Sequence, residues 1–138
     1  MKNPLLPVKA IITDIKNETE DTKTYSLSIE DSSYTAKPGQ FNMVGYPGVG
    51  EAPISLSSMA SEGRFQHTIR SVGRVTEFID GFKEGDVMYV RGPYGTYWPL
   101  DNAIGNDILL VAGGIGLAPL RPVVQEILER RDSFGTVT

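Results

Sequence analysis

Cysteine is absent from the 138 residues, which removes disulfides, thiolate catalysis and any cysteine-ligated zinc or iron–sulfur centre from this stretch of chain. Histidine occurs once, as His67, so a histidine-based metal site or a Ser-His pair would have to be built around one residue. A single histidine on a strand is read as structural, and no metal site is expected. A strong charge of one sign is lacking too. The net charge of −4 offers no basic face, which argues against a nucleic-acid partner. Long apolar runs are missing: the longest uncharged one, residues 108–120, is too short and too rich in glycine to span a bilayer. The opening Met1-Lys2-Asn3-Pro4 carries no recognisable targeting signal. A cytoplasmic protein with no membrane partner is the expectation. What is present is ordinary globular composition, 40% hydrophobic and 22% charged, enough for one domain or one domain and part of a second.

Most of the chain reads as short strands. Residues 8–15 are rich in β-branched side chains, and residues 24–29 alternate through Tyr25, Leu27 and Ile29. Further strands are expected over 40–46, 52–58, 65–70 and 86–91, separated by turns rich in glycine and proline. In the fifth, Phe65, His67 and Ile69 share one face, with Gln66, Thr68 and Arg70 on the other. Such a series predicts a small antiparallel barrel or sandwich.

One short amphipathic helix interrupts it. Val75, Phe78, Ile79 and Phe82 stand at helical spacing, so the helix should cover residues 74–82. Arg70, Ser71, Gly73, Arg74 and Thr76 cluster at its start. Unpaired N–H groups, a hydroxyl and guanidinium groups there favour a pyrophosphate, although a solvated cap with surface arginines has the same composition. Tyr94, Tyr97 and Trp98 crowd the loop after the sixth strand, either to stack on a ring system or to pack the barrel end. From Asp107 the pattern changes. Ile108 to Val111 is an apolar run, Gly113, Gly114 and Gly116 follow, and Leu120, Val123, Val124, Ile127 and Leu128 recur at helical spacing. Strand, glycine turn and helix suit a dinucleotide site, although Pro119 stands where a third fingerprint glycine would be. The division is expected at 1–103 for a barrel and 104–138 for the start of a second domain.

In order, Pro38-Gly39-Gln40-Phe41, Ala52-Pro53-Ile54-Ser55, Ile69-Arg70-Ser71-x-Gly73-x-Val75-Thr76, Glu84-Gly85-Asp86, Gly92-Pro93-Tyr94-Gly95 and the run from Gly113 to Pro119 resemble the ferredoxin–NADP reductase superfamily. Within it the chain is most similar to dihydroorotate dehydrogenase B electron-transfer subunits and to gamma subunits of soluble hydrogenases and sulfite reductases. The resemblance implies an all-β antiparallel Greek-key barrel that binds FAD, followed by the first strand, turn and helix of an α/β nucleotide-binding domain.

The resemblance also assigns roles. The family's Arg-x-Tyr-Ser motif falls on Ala52, Pro53, Ile54 and Ser55, with the Ser55 hydroxyl as the catalytic group near flavin N5. Ala52 replaces the phosphate-pairing arginine and Ile54 the ring-packing aromatic, and Arg70 is the candidate to take over the lost charge. Ile69, Arg70, Ser71, Gly73, Val75 and Thr76 complete the implied FAD site. Gly113, Gly114, Gly116, Leu117, Ala118 and Pro119 fall on the nicotinamide-nucleotide segment. Family members continue for roughly another domain, ~100 residues, so the chain is expected to be a C-terminally shortened relative. The parent's [2Fe–2S] ligands lie outside it.

The implied activity is electron transfer between NAD(P)H and iron–sulfur or catalytic subunits of a larger complex. The alternative is a catalytically inactive flavin-binding or docking module. Val123, Val124, Ile127 and Leu128 on an unpartnered helix would also favour a dimer.

Overall fold

The structure, a computed structural model, describes residues 3–138. Six strands come first: β1 (Val8–Asn17), β2 (Thr22–Ser28), β3 (Phe41–Tyr46), β4 (Gly50–Ser55), β5 (Arg64–Arg70) and, after helix α1 (Arg74–Asp80), β6 (Val87–Tyr94). They form one antiparallel sheet in the order β4-β3-β6-β1-β2-β5. The period-2 reading of β5 holds, with Phe65, His67 and Ile69 buried and their neighbours outward. Alternation in the other strands supplies Ile12, Leu27, Val44, Met88 and Val90 to the same core. Ile79 of α1 is fully buried in it, and the Tyr25 hydroxyl donates to the Ile79 carbonyl at 3.2 Å. Helix α1 therefore closes one end of the barrel.

The two edge strands meet where β4 runs out. Leu56 N donates to the Gln40 carbonyl beside β3 at 3.2 Å, and Ser57 N then donates to the Gln66 carbonyl of β5 at 2.9 Å. Leu56 and His67 form an antiparallel bridge there. A flat sheet with two exposed edges becomes a barrel at that point.

After β6 the chain makes a 3₁₀ turn at Leu100–Ala103, another at Gly114–Gly116, and helix α2 (Leu117–Glu129). A second apolar cluster joins Leu100, Val123, Ile127 and Phe134, with Ala103, Ile108, Leu110 and Leu120 against it. The helical spacing of 120–128 is thus correct, but the dimer expectation loses its basis. Val123 and Ile127 are each only 1% exposed, covered by Leu100 and Phe134 of the same chain, which leaves Val124 and Leu128 at the surface. Residues 108–111 pair only briefly: Ile108 bridges Val137 in parallel, with Ile108 N to Thr136 O and Leu110 N to Thr138 O both 2.8 Å. Parallel strands draw their stability from cover on both faces, and Leu109 and Val111 lie mostly exposed. Among the described residues no helix is long and apolar enough to cross a membrane.

Candidate functional site

Above the Leu56–His67 bridge, β4 pairs only with β3 and β5 only with β2. Residues 50–54 and 68–70 therefore border a gap whose backbone groups are not used by a neighbouring strand. Helix α1 leaves β5 through Ser71 and Val72 and returns over this gap. Val75 lies 3.4 Å from where a Gly50 Cβ would sit, and the Arg74 guanidinium reaches the Gly48 carbonyl at 3.4 Å. The fold thus brings Ala52, Pro53, Ile54 and Ser55 on one side together with Ile69, Arg70, Ser71, Gly73, Val75 and Thr76 on the other. Ile54 and Val75 are partly buried against the barrel core. Among the described residues the half-buried Ser55 hydroxyl makes no hydrogen bond.

The start of α1 is organised by one side chain. Thr76 Oγ1 accepts from Val72 N at 3.0 Å and Gly73 N at 3.1 Å and donates to the Gly73 carbonyl at 3.0 Å. The first intrahelical bond runs from Glu77 N to Gly73 O, so the N–H groups of Arg74 and Val75 precede it without an intrahelical acceptor. Arg70 is held from below: its Nε donates to Asp21 Oδ2 at 2.7 Å, while its terminal nitrogens have no protein partner among the described residues. That guanidinium, helped by the Thr22 and Thr19 hydroxyls, holds the Asp21 carboxyl down to about 2. Both groups are about half exposed, so the pair orients Arg70 more than it stabilises the fold.

Beneath Ser55 lies a buried polar chain that strand patterning did not reveal. The Tyr34 hydroxyl donates to Asn42 Oδ1 at 2.9 Å, Asn42 Nδ2 donates to His67 Nε2 at 3.1 Å, and His67 Nδ1 donates to the Ser55 carbonyl at 2.8 Å. This sense follows from the amide, which accepts through its oxygen and so donates through its nitrogen, leaving His67 neutral with the proton on Nδ1. Burial pushes the imidazole down to about 4, against a smaller opposing effect of the Ser55 carbonyl. Burial likewise pushes the Tyr34 hydroxyl up to about 12. Both groups are therefore uncharged at neutral pH. Asn42 and Tyr34 could have been suspected only as polar residues inside otherwise apolar segments.

The second expected group, Gly113, Gly114, Gly116, Leu117, Ala118 and Pro119, lies together at the start of α2, and no hydrogen bond joins it to Ser55. A Cβ on Gly73, Gly113 or Gly116 would meet no atom within 4 Å, and their φ angles suit any residue. The chain's own packing does not demand glycine at these three positions. Gly114 differs, with φ at +54°. A groove of about 930 Å³ lies elsewhere, along β1 beside Leu6, Ile11 and Ile29.

The sequence profile of the oxidoreductase FAD-binding domain matches residues 9–98, from β1 through the loop carrying Trp98. The chain belongs to that family. It is 44% identical over 126 residues to sulfhydrogenase 2 subunit gamma of Pyrococcus furiosus, covering 88% of this chain and 44% of that protein. It is 39% identical over 129 residues to the probable dihydroorotate dehydrogenase B (NAD(+)) electron transfer subunit of Methanocaldococcus jannaschii, covering 94% and 47%. A ferredoxin NADP⁺ reductase from Neisseria gonorrhoeae, solved with bound FAD and NADP, superposes with a TM-score of 0.80 at 25% identity, covering 95% of this chain and 55% of that one. The resemblance to the ferredoxin–NADP reductase superfamily and the barrel it implied are thus both found. The chain spans a little under half the length of these curated relatives.

Proposed function

We propose that this chain is the flavin-holding part of an electron-transfer subunit that moves electrons between NAD(P)H and an iron–sulfur or catalytic partner in a cytoplasmic redox complex. The observation that supports this best is the gap between β4, β5 and α1, which gathers the expected FAD residues inside the stretch that matches the family. Bound in this gap, FAD would supply hydride acceptance from a nicotinamide and one-electron release to a partner.

The chain's residues fit such a group in most respects. Ala52, Pro53 and Ile54 would line the ring side, and Ser55 would present an otherwise unused hydroxyl. Ile69, Arg70, Ser71, Gly73, Val75 and Thr76 would hold the phosphates, with the free N–H groups of Arg74 and Val75 and the terminal nitrogens of Arg70 as donors. Ala52 contributes no charge, so Arg70, steadied by Asp21, carries the pairing. Gly73 leaves open space for close approach, as Gly113 and Gly116 do on the nicotinamide side with Gly114, Leu117, Ala118 and Pro119. We place the division between the FAD-binding part and the nucleotide-binding part at residues 103 and 104. A [2Fe–2S] cluster would be held outside these residues, as in the longer parent, since no cysteine is present among them. The inactive-module alternative draws no support from the relatives, whose names include an electron transfer subunit.

The test is titration of the purified chain with FAD, followed by visible absorbance and flavin fluorescence. Bound flavin with quenched emission is expected, and Arg70→Ala should weaken binding roughly tenfold, as loss of one charge-assisted contact does. Absence of any bound flavin overturns the assignment.

A further inference from the structure

The buried chain Tyr34–Asn42–His67 ends on the Ser55 carbonyl, and the strands around it are shaped to accommodate it. Opposite Asn42, β6 carries a bulge: Phe41 pairs with Tyr94 and Met43 with Arg91, so Gly92 and Pro93 together face one residue of β3. A Cβ on Gly92 would come within 2.3 Å of Asn42 Oδ1. Phe65 packs its ring edge-on to His67 with centroids 5.5 Å apart, and Tyr34 meets Phe65 at a tilt with centroids 4.9 Å apart. The three polar side chains are each at most 1% exposed.

Stability alone gives no reason for them. Apolar side chains of similar volume at all three positions would often be neutral or stabilising, because a satisfied buried polar group gains little over water. Barrel closure does not need the imidazole either, since the Leu56–His67 bridge and the bond from Ser57 N to Gln66 O are made by backbone. What the imidazole adds is a hold on one atom. Because Leu56 N bonds Gln40 O, ladder alternation turns the Ser55 carbonyl away from β3 and towards β5, where His67 Nδ1 takes it.

We propose that His67 is a positioning residue: through its bond to the Ser55 carbonyl, aligned by Asn42 and Tyr34, it sets where the Ser55 hydroxyl stands against the flavin. This rests on the flavin assignment above. It predicts that Ser55 and His67 act as one unit on the bound cofactor, which a merely structural histidine would not do.

The experiment is a double-mutant cycle on the whole chain loaded with FAD, read by the visible absorption and circular dichroism of the bound flavin and by its reduction potential. Ser55→Ala should shift these signals. His67→Leu should shift them in the same sense, and the double variant should add little to either single one. His67→Gln, whose amide can both donate and accept, should restore part of the wild-type signal. Tyr34→Phe, which leaves Ser55 and His67 intact, should give a smaller shift of the same sign and serves in place of His67→Leu if that variant does not fold. Additive effects, or a flavin signal indifferent to His67→Leu or to Ser55→Ala, overturn the proposal and leave the flavin assignment standing. A wild-type chain that binds no FAD overturns both.

Discussion

His67 is neutral in the folded chain until the pH falls to about 4, whereas in the unfolded chain it has its ordinary value of 6.5. The unfolded chain therefore binds the extra proton first, and stability present above pH 6.5 is lost progressively as the pH drops towards 4. The whole effect is about 3 kcal/mol, so urea midpoints should begin to fall below pH 6.5, well above the carboxylate range. His67→Leu should remove that early slope, and a midpoint series at four or five pH values reads it. Gly92 belongs to the same device. With φ at +149° and Asn42 Oδ1 in the way of a Cβ, Gly92→Ala should cost about 3 kcal/mol, measured by urea unfolding. His67 is put on one face with Phe65 and Ile69 by the alternation of β5, which carries no information beyond that. Its partners lie 25 residues away at Asn42 and farther at Tyr34, and no local period links a loop tyrosine, a strand amide and an imidazole.

Helix α1 shows how a short element is held. Seven residues give too few intrahelical bonds to stand alone, so its place depends on burial of Ile79 and on the Thr76 hydroxyl at its first turn. Thr76→Val keeps the shape and removes the cap, and should cost about 1 kcal/mol in chemical unfolding. The strands were legible because period-2 patterning with glycine turns is a local signal, and β5 matched it residue by residue. Residues 108–111 show where that signal misleads. An apolar run announces a buried strand, but the cover that makes it one comes from neighbours, and Val111 lies 79% exposed. The gathering of β4 against α1 was likewise implied by resemblance and not by pattern, since it depends on the chain crossing from β3 to β5 after Ser55.

At the scale of the molecule two apolar clusters stand side by side, one inside the barrel and one under α2. A side-chain bond links them: Gln125 Oε1 of α2 accepts from Met59 N at 2.8 Å. Gln125→Ala should loosen the second cluster more than the first. In hydrogen exchange, amides of residues 117–138 should exchange faster in the variant, while those of β1, β2 and β5 keep their protection.

Met59 is four residues beyond Ser55, a tether of at most about 14 Å even when fully extended. Its far end is fastened to α2, and its near end is the residue whose carbonyl His67 holds. Leu56 and Ser57 in between are themselves pinned to Gln40 and Gln66, so a displacement of α2 is stopped at the seam where the barrel closes, and the strap shields Ser55 from motion of the second cluster.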